Sequence, residues 1–316
     1  MSDKMSLKTL IYNASGCWSR TEAQLDSLVE CKMMTITTKT CTLEARESNK
    51  YPTYINFKSS EISLNCKGMP NFGIEYYINL HKKYKSKGIE YIISMDASDL
   101  NELSIMLEKY EKYLHNFSRE MSSEIVELVE INISCPNKSD EKCRIISYDI
   151  EALTAMLDMI KFMNLKHIKI GIKLSPCTDR WLITQISLIL ISFKDIITFI
   201  VCGNSIPNAM VLNKDGKPFL STEVGGMSGI PAKFINLSNV YNFNRMLCGT
   251  NIVIIGCGGI QSLADVKDYM NCGAKFCQVG RGILEQGIEI LTHLNKELED
   301  DVAEIQSKMA ETRSKL

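Results

Sequence analysis

Apolar residues along the chain gather into short β-rich runs separated by stretches with helical spacing. The runs lie at Lys8–Asn13, Met34–Thr38, Glu90–Ser94, Val126–Ile133, His167–Ile172, Thr198–Cys202, Ile252–Gly256 and Lys275–Val279, each of a length suited to a strand. Between them, Tyr148–Met163 places Ile150, Leu153, Leu157 and Ile160 on one helical stripe. Ser262 has the residue type of an N-cap for a second helix that carries Leu263, Val266 and Met270, with Asp265 in its first turn. The most apolar region, Trp181–Gly203, is broken by Thr184, Gln185, Lys194 and Asp195, which predicts helix, turn and strand instead of a membrane span. Eight strands alternating with helices over about 250 residues favour an α/β fold of the parallel (β/α)8 barrel (TIM barrel) type over a doubly wound sheet. No Pro- or Gly-rich linker and no repeat interrupts this alternation, so residues 1–316 read as one domain.

Seven of the expected strands run into polar or glycine-rich clusters: NASG at Asn13–Gly16, TTKT at Thr37–Thr40, NISCPN at Asn132–Asn137, KLSP at Lys173–Pro176, GNS at Gly203–Ser205, GCGG at Gly256–Gly259 and VGRG at Val279–Gly282. In a barrel these carboxyl-terminal strand ends share one rim, which is where such folds carry their site. Any single cluster is also what an ordinary loop start looks like. Their recurrence argues for a site.

Charge narrows the chemistry. The 36 basic and 37 acidic residues leave a formal net charge of −1, so nothing draws the chain to nucleic acid or to an anionic membrane, and a small-molecule ligand is expected. The 12 cysteines form no CxxC pair and follow no apolar signal segment, so they read as reduced thiols of a cytoplasmic protein. His81, His115, His167 and His293 lie far apart in sequence and in no HExxH pattern, and no metal site is expected.

The GCGG and VGRG turns near the end of the barrel suit a phosphate, because glycine lets backbone N–H groups approach an anion. Gly225 and Gly226, read as a loop, offer a further approach to the same group. With no GxGxxG after the first strand and no P-loop motif, a mononucleotide such as FMN fits better than a dinucleotide. Lys39 and Lys173 stand at strand ends, where a cation would stabilise negative charge on the N1/O2 side of a reduced flavin. Cys135 follows the strand directly and is flanked by Asn132, Ser134 and Asn137. Asparagines can orient an imide or carboxylate through paired donor and acceptor groups but cannot take up a proton at neutral pH, which leaves the thiol as acid or base. The polar stretch Lys138–Ser147 reads as a lid or as an exposed loop.

Taken together, these residues resemble the class 1A dihydroorotate dehydrogenases, soluble FMN enzymes of pyrimidine synthesis. The resemblance runs from Ile11 to Gly287 and rests on NASG, TKTCTLEARESN at Thr38–Asn49, NCKGMPNFGIEYY at Asn65–Tyr77, EINISCPN at Glu130–Asn137, IKLSP at Ile172–Pro176, NSIPNAMV at Asn204–Val211, GGMSG at Gly225–Gly229, GCGG and QVG at Gln278–Gly280. It implies that Cys135 takes the C5 proton of dihydroorotate while C6 gives a hydride to flavin N5, with fumarate as the electron acceptor. Substrate would be held by Lys39, Asn65, Gly68, Met69, Asn132, Asn137, Asn204 and Ser205. The flavin would contact Ala14, Ser15, Lys39 and Thr40 from the first two strand ends, then Asn65, Asn132, Lys173, Gly203 and Ser205. Gly225, Gly226, Cys257, Gly258, Gly259, Gly280 and Arg281 would complete its site. A homodimer is implied as well.

Departures from the pattern are Arg281, where the family has a small hydroxyl residue, Pro207 and Ala209 in place of glycines, Asp96–Ala97 in place of a glycine-containing turn, and the sequence of the stretch after Asn137. Other readings are a class 1B enzyme that passes electrons to NAD through a partner carrying FAD and an iron–sulfur cluster, a tRNA dihydrouridine synthase, and a flavin-binding barrel without turnover. NFGIEYY favours class 1A over class 1B, and the charge balance speaks against RNA.

Overall fold

A computed structural model describes residues 5, 7–97, 99–134 and 145–314, with side chains through residue 307. In chain order its elements are β1 (Ile11–Asn13), α1 (Glu22–Glu30), β2 (Thr35–Thr37), β3 (Tyr54–Phe57), β4 (Ile62–Asn65), α2 (Ile74–Ser86), β5 (Glu90–Met95), α3 (Leu100–Met121), β6 (Glu127–Asn132), α4 (Ile150–Met163) and β7 (Ile168–Leu174). There follow α5 (Arg180–Ser192), β8 (Ile197–Cys202), β9 (Ile206–Met210), β10 (Val224–Gly229), α6 (Ile230–Met246), β11 (Val253–Cys257), α7 (Leu263–Asn271), β12 (Phe276–Val279), α8 (Arg281–Gln286) and α9 (Glu289–Ser314).

The eight strands expected from the sequence pair in parallel in the order β1-β12-β11-β8-β7-β6-β5-β2, forming a (β/α)8 barrel. No pairing of β1 with β2 is among the described strand ladders; side chains close the ring there. Buried Asn13 donates through Nδ2 to the Thr37 carbonyl at 2.6 Å and accepts from the Thr37 amide at 3.1 Å, copying one rung of a ladder. Lower down, the Thr9 amide donates to Thr35 Oγ1 at 3.2 Å and the Met34 amide to Thr9 Oγ1 at 3.0 Å.

Alternation along each strand divides the core in two. Phe199, Val201, Val253 and Ile255 point into the barrel with Tyr12, Ile92 and Phe276, while Ile200, Cys202 and Ile254 pack outward on the helices. A Cβ on Gly171 would lie 2.0 Å from Phe199 Cζ, so the missing side chain there makes room for the ring. Met5 and Leu7 belong to this inner cluster. Further along the strands the interior turns polar with Ser94, Glu130, Lys173 and Gln278, which makes the carboxyl end suitable for a site.

Side-chain caps set the start of several helices. Asp149 accepts from the Ala152 amide at 3.0 Å, so α4 begins at Ile150 and not at Tyr148, which lies in a short 3-10 turn and donates its hydroxyl to the Pro176 carbonyl at 2.6 Å. Leu153, Leu157 and Ile160 are buried as the stripe predicts, and Met156 joins them. Ser262 and Asp265 form a capping box at α7.

A second sheet was not legible in the sequence. It is antiparallel, in the order β3-β4-β10-β9, and packs a small core of Leu64, Cys66 and Leu220. The expected loop at Gly225 and Gly226 is strand β10, with Gly226 opposite Asn65. Both positions are crowded: a Cβ on Gly225 would fall 2.5 Å from the Asn65 carbonyl oxygen, and one on Gly226 would fall 2.2 Å from Ser205 Oγ. Glycine here permits close packing of strands instead of forming a turn. Among the described residues no helix is long and apolar enough to cross a membrane.

Candidate active site

A cavity of about 410 Å3 opens at the carboxyl ends of the strands. Segments following seven of the eight barrel strands supply its walls: Ala14, Ser15 and Gly16 after β1, Lys39 and Thr40 after β2, Asn132 on β6, Lys173 on β7, Gly203, Asn204 and Ser205 after β8, Cys257, Gly258 and Gly259 from β11, and Gly280 and Arg281 after β12. Asn65, Gly68 and Met69 arrive from β4 and the loop behind it. Gly225 and Gly226 are not among the lining residues, but their missing side chains make room for Asn65 and Ser205, which are. Cys135 and Asn137, with residues 138–144 of the expected lid, lie outside the described residues.

The floor is a buried polar network. Lys173 Nζ donates to Gln278 Oε1 at 3.2 Å and stands 3.6 Å from Glu130 Oε1. Gln278 Nε2 in turn donates to Glu130 Oε2 at 2.8 Å, and Ser94 Oγ donates to Glu130 Oε1 at 3.1 Å. Burial works against charge on Lys173, but the Glu130 carboxylate, with Cys257 nearby, outweighs it and holds the pKa above the ordinary lysine value. The ammonium is therefore present at neutral pH. From this floor the hydroxyl of Thr40 reaches Ser94 Oγ at 3.1 Å and Ser15 Oγ at 2.7 Å, and it accepts from Asn132 Nδ2 at 3.2 Å.

Amides and hydroxyls orient one another on the wall. Ser134 Oγ donates to Asn132 Oδ1 at 2.6 Å, Asn204 Nδ2 donates to Ser134 Oγ at 2.5 Å, and the Ser205 amide donates to Asn204 Oδ1 at 2.8 Å. On the opposite side, Gly68 and Met69 both have positive φ, 74° and 56°. Their loop is tied down by Asn49 Nδ2, which donates to the Cys66 carbonyl at 2.7 Å, and by Asn71 Nδ2, which donates to the Met69 carbonyl at 2.9 Å. A Cβ on Gly68 would sit 2.5 Å from Asn49 Oδ1, so only glycine fits that turn.

Two lining cations escaped the sequence reading. Arg20 packs its guanidinium 4.8 Å from the Phe72 ring centroid, and Lys67 holds Nζ 5.5 Å from that of Tyr54. Asn236 on α6 was missed too; its Nδ2 donates to the Cys257 carbonyl at 2.9 Å and reaches the Asn204 carbonyl at 3.4 Å, holding two turns together. These are isolated residues on loops or a helix, with no motif to mark them. The described lining residues include five cations, Arg20, Lys39, Lys67, Lys173 and Arg281, and no carboxylate, while Glu130 and Glu285 lie behind the lining and pair with Lys173 and Arg281. The field suits anions. Two thiols also face the cavity: burial pushes Cys17 up against the pull of Lys67 and Lys39, and burial pushes Cys257 up against the pull of Lys173. Both stay protonated at neutral pH.

The model of one protein family, dihydroorotate dehydrogenase, matches residues 3–302. The chain belongs to the dihydroorotate dehydrogenase family. Dihydroorotate dehydrogenases are oxidoreductases that act on small molecules and depend on a flavin, and the resemblance to class 1A carries through the relatives. A putative dihydroorotate dehydrogenase A (fumarate) of Streptococcus agalactiae is 31% identical over 306 residues, covering 95% of this chain and 91% of the relative. The dihydroorotate dehydrogenase A (fumarate) of Lactococcus lactis is 30% identical over 294 residues, with 91% and 88% covered, and the Saccharomyces mikatae dihydroorotate dehydrogenase (fumarate) is 30% identical over 295 residues, likewise with 91% and 88% covered. A crystal structure of the Eimeria tenella dihydroorotate dehydrogenase in complex with ferulenol superposes with a TM-score of 0.73 at 14% identity, covering 94% of this chain and 82% of that one. That likeness speaks for the shared fold.

Proposed function

We propose that this protein oxidises dihydroorotate to orotate in pyrimidine synthesis, using bound FMN and passing the electrons to fumarate, as a single-domain cytoplasmic homodimer. The observation that carries the reading is the cation-lined cavity at the carboxyl rim, with Asn132, Asn204 and Ser205 on its wall, in a member of this family.

The residues fit a flavin mononucleotide. Gly258 and Gly259 have φ of 122° and 65°, and a Cβ on them would fall 2.5 Å from Asn236 Nδ2 and 2.6 Å from Lys233 Cβ, so side chains are excluded where backbone must approach an anion. Beside them Arg281 keeps Nε and Nη1 buried with no hydrogen-bond partner among the described residues. Gly258, Gly259, Gly280 and Arg281 would hold the phosphate, and Ala14, Ser15, Thr40 and Lys173 the ring. When bound, FMN supplies the acceptor for the C6 hydride and the donor of electrons to fumarate.

The chain's own work is binding and proton transfer. Asn65, Asn132, Asn137, Asn204 and Ser205 would orient the pyrimidine ring and its carboxylate through paired donors and acceptors, helped by backbone at Gly68 and Met69. Cys135 would remove the C5 proton, which is acidified by the neighbouring carbonyl as enolate charge develops. Burial holds the Cys17 and Cys257 thiols above the ordinary thiol value, which makes each a poorer source of thiolate than an unshifted cysteine. Lys173 and Lys39 would stabilise negative charge that develops on the cofactor side.

The test is an anaerobic titration of the yellow protein with dihydroorotate, read at the flavin absorbance band and followed by fumarate. Bleaching and then recovery is expected. A flavin band that dihydroorotate leaves unchanged would sink the proposed activity, and bleaching that only NAD reverses would replace the acceptor.

A further inference from the structure

Arg281 stands where two glycine turns meet. Gly280 precedes it, and a Cβ on Gly282 would lie 2.6 Å from the carbonyl oxygen of Ile260, the residue after Gly258 and Gly259. Its side chain is 6% exposed and lines the cavity. Nη2 donates to Asn56 Oδ1 at 3.0 Å and lies 3.4 Å from Glu285 Oε1, while Asn56 Nδ2 donates to that same carboxylate oxygen at 2.7 Å. The three side chains close a ring between α8 and β3. They engage one nitrogen of the guanidinium and leave Nε and Nη1 buried, with no partner among the described residues.

A buried cation with unmet donors is unfavourable unless a ligand completes its hydrogen bonds. A phosphate does so with charge as well as oxygens. We propose that Arg281, braced by Asn56 and Glu285, is a phosphate clamp through which this chain selects a phosphorylated flavin over the same flavin lacking its phosphate. The proposal rests on the FMN reading above. The brace orients the guanidinium before the ligand arrives, so less side-chain freedom is lost on binding. Asn56 and Glu285 are positioning residues: Glu285 offsets part of the positive charge, so its contribution is to fix Nη2 and with it the plane of the guanidinium. Asn56 comes from the antiparallel sheet, which gives that sheet a part in cofactor choice.

The experiment uses the full chain stripped of flavin and titrated with FMN and with riboflavin, read by quenching of flavin fluorescence. The unaltered chain should bind FMN far more tightly. Arg281→Gln should weaken FMN by about tenfold or more while riboflavin binding stays unchanged, so the ratio collapses. Arg281→Lys should restore only part of it. Glu285→Gln and Asn56→Ala should weaken FMN by a smaller factor and again spare riboflavin. The riboflavin titration guards against misfolding, since a damaged site would weaken both flavins alike. Equal weakening of both flavins in Arg281→Gln, or no change in either, would overturn the clamp. A chain that binds both flavins equally yet is bleached by dihydroorotate would overturn the clamp alone; a chain that binds neither would overturn the FMN reading with it.

Discussion

Lys173 and Glu130 face each other at the floor of the cavity with Nζ 3.6 Å from Oε1, and Gln278 bridges them by accepting from the lysine at 3.2 Å and donating to the carboxylate at 2.8 Å. Both side chains are buried, at 3% and 0% exposure, so each charge depends on the other. Glu130→Gln strands the ammonium, and a loss of about 3–5 kcal/mol in urea denaturation is expected. Combining it with Lys173→Met should recover much of that stability while abolishing flavin bleaching by dihydroorotate. A single variant that loses under about 1 kcal/mol would mean the lysine finds water there. Since the folded pKa of Lys173 lies above the ordinary ~10.4, its stabilisation is whole below that pH and fades as pH rises through the folded value.

Cys135 carries the proposed proton transfer. With an ordinary thiol pKa near 8.5, about 3% is thiolate at pH 7, so the rate of bleaching should rise from pH 6 to pH 9. Cys135→Ala should slow bleaching by about 10²–10⁴-fold and remove that rise. A flat profile in the unaltered chain would remove the thiol as base.

Ser205 owes its place to Gly226. Gly226→Ala would push a methyl group to 2.2 Å from Ser205 Oγ, inside contact distance, in a strand that cannot retreat from Asn65. The expected results are a stability loss of about 1–3 kcal/mol and weaker orotate binding, read by melting and by the orotate-induced change in the flavin spectrum. Unaltered melting and binding would show that Ser205 moves aside at no cost.

Asp265 joins two helices, capping α7 and pairing with Lys233 of α6. Burial raises its pKa, but Lys233, the Gln261 amide and Ser262 together lower it below the ordinary carboxylate value. The stabilisation is therefore present above the unfolded pKa of about 3.9 and is lost as pH falls through the folded value. Asp265→Asn should cost about 1–2 kcal/mol at pH 7, and melting curves of the two proteins should converge in acid below pH 4. A constant gap across that range would assign the cost to packing.

All eight barrel strands were legible because each buries both faces, and a short apolar run between helical stripes is a local signal. The antiparallel sheet was not. Its strands are short and interleaved with Asn and Ser, and β4 finds its partner β10 only after eight barrel elements have intervened, so nothing near Ile62–Asn65 announces the pairing. The same gap hid the brace on Arg281, whose partner Asn56 lies on that sheet. Lys39, Lys173 and the glycine turns could be located because they end strands; Arg20 and Lys67 sit in loops where one cation looks like any other. Gly225 and Gly226 were read as a loop, and the strand they form, crowded by Asn65 and Ser205, comes from a pairing with β4 that no local signal announces.

The ring of strands is fastened differently along one line. Elsewhere each strand shares a backbone ladder with its neighbour, but β1 and β2 meet through Asn13 and Thr9, with the Ser15 and Thr40 hydroxyls touching just above at 2.7 Å. A barrel joined this way is expected to open first at that line, and the segments that would part there, Ala14–Ser15 and Lys39–Thr40, are walls of the cavity. Amide exchange should be fastest at β1 and β2 in the flavin-free chain and slow markedly once FMN is added, since a ligand touching both walls bars their separation. The weakest line of the barrel would then also be the doorway through which its cofactor enters and leaves.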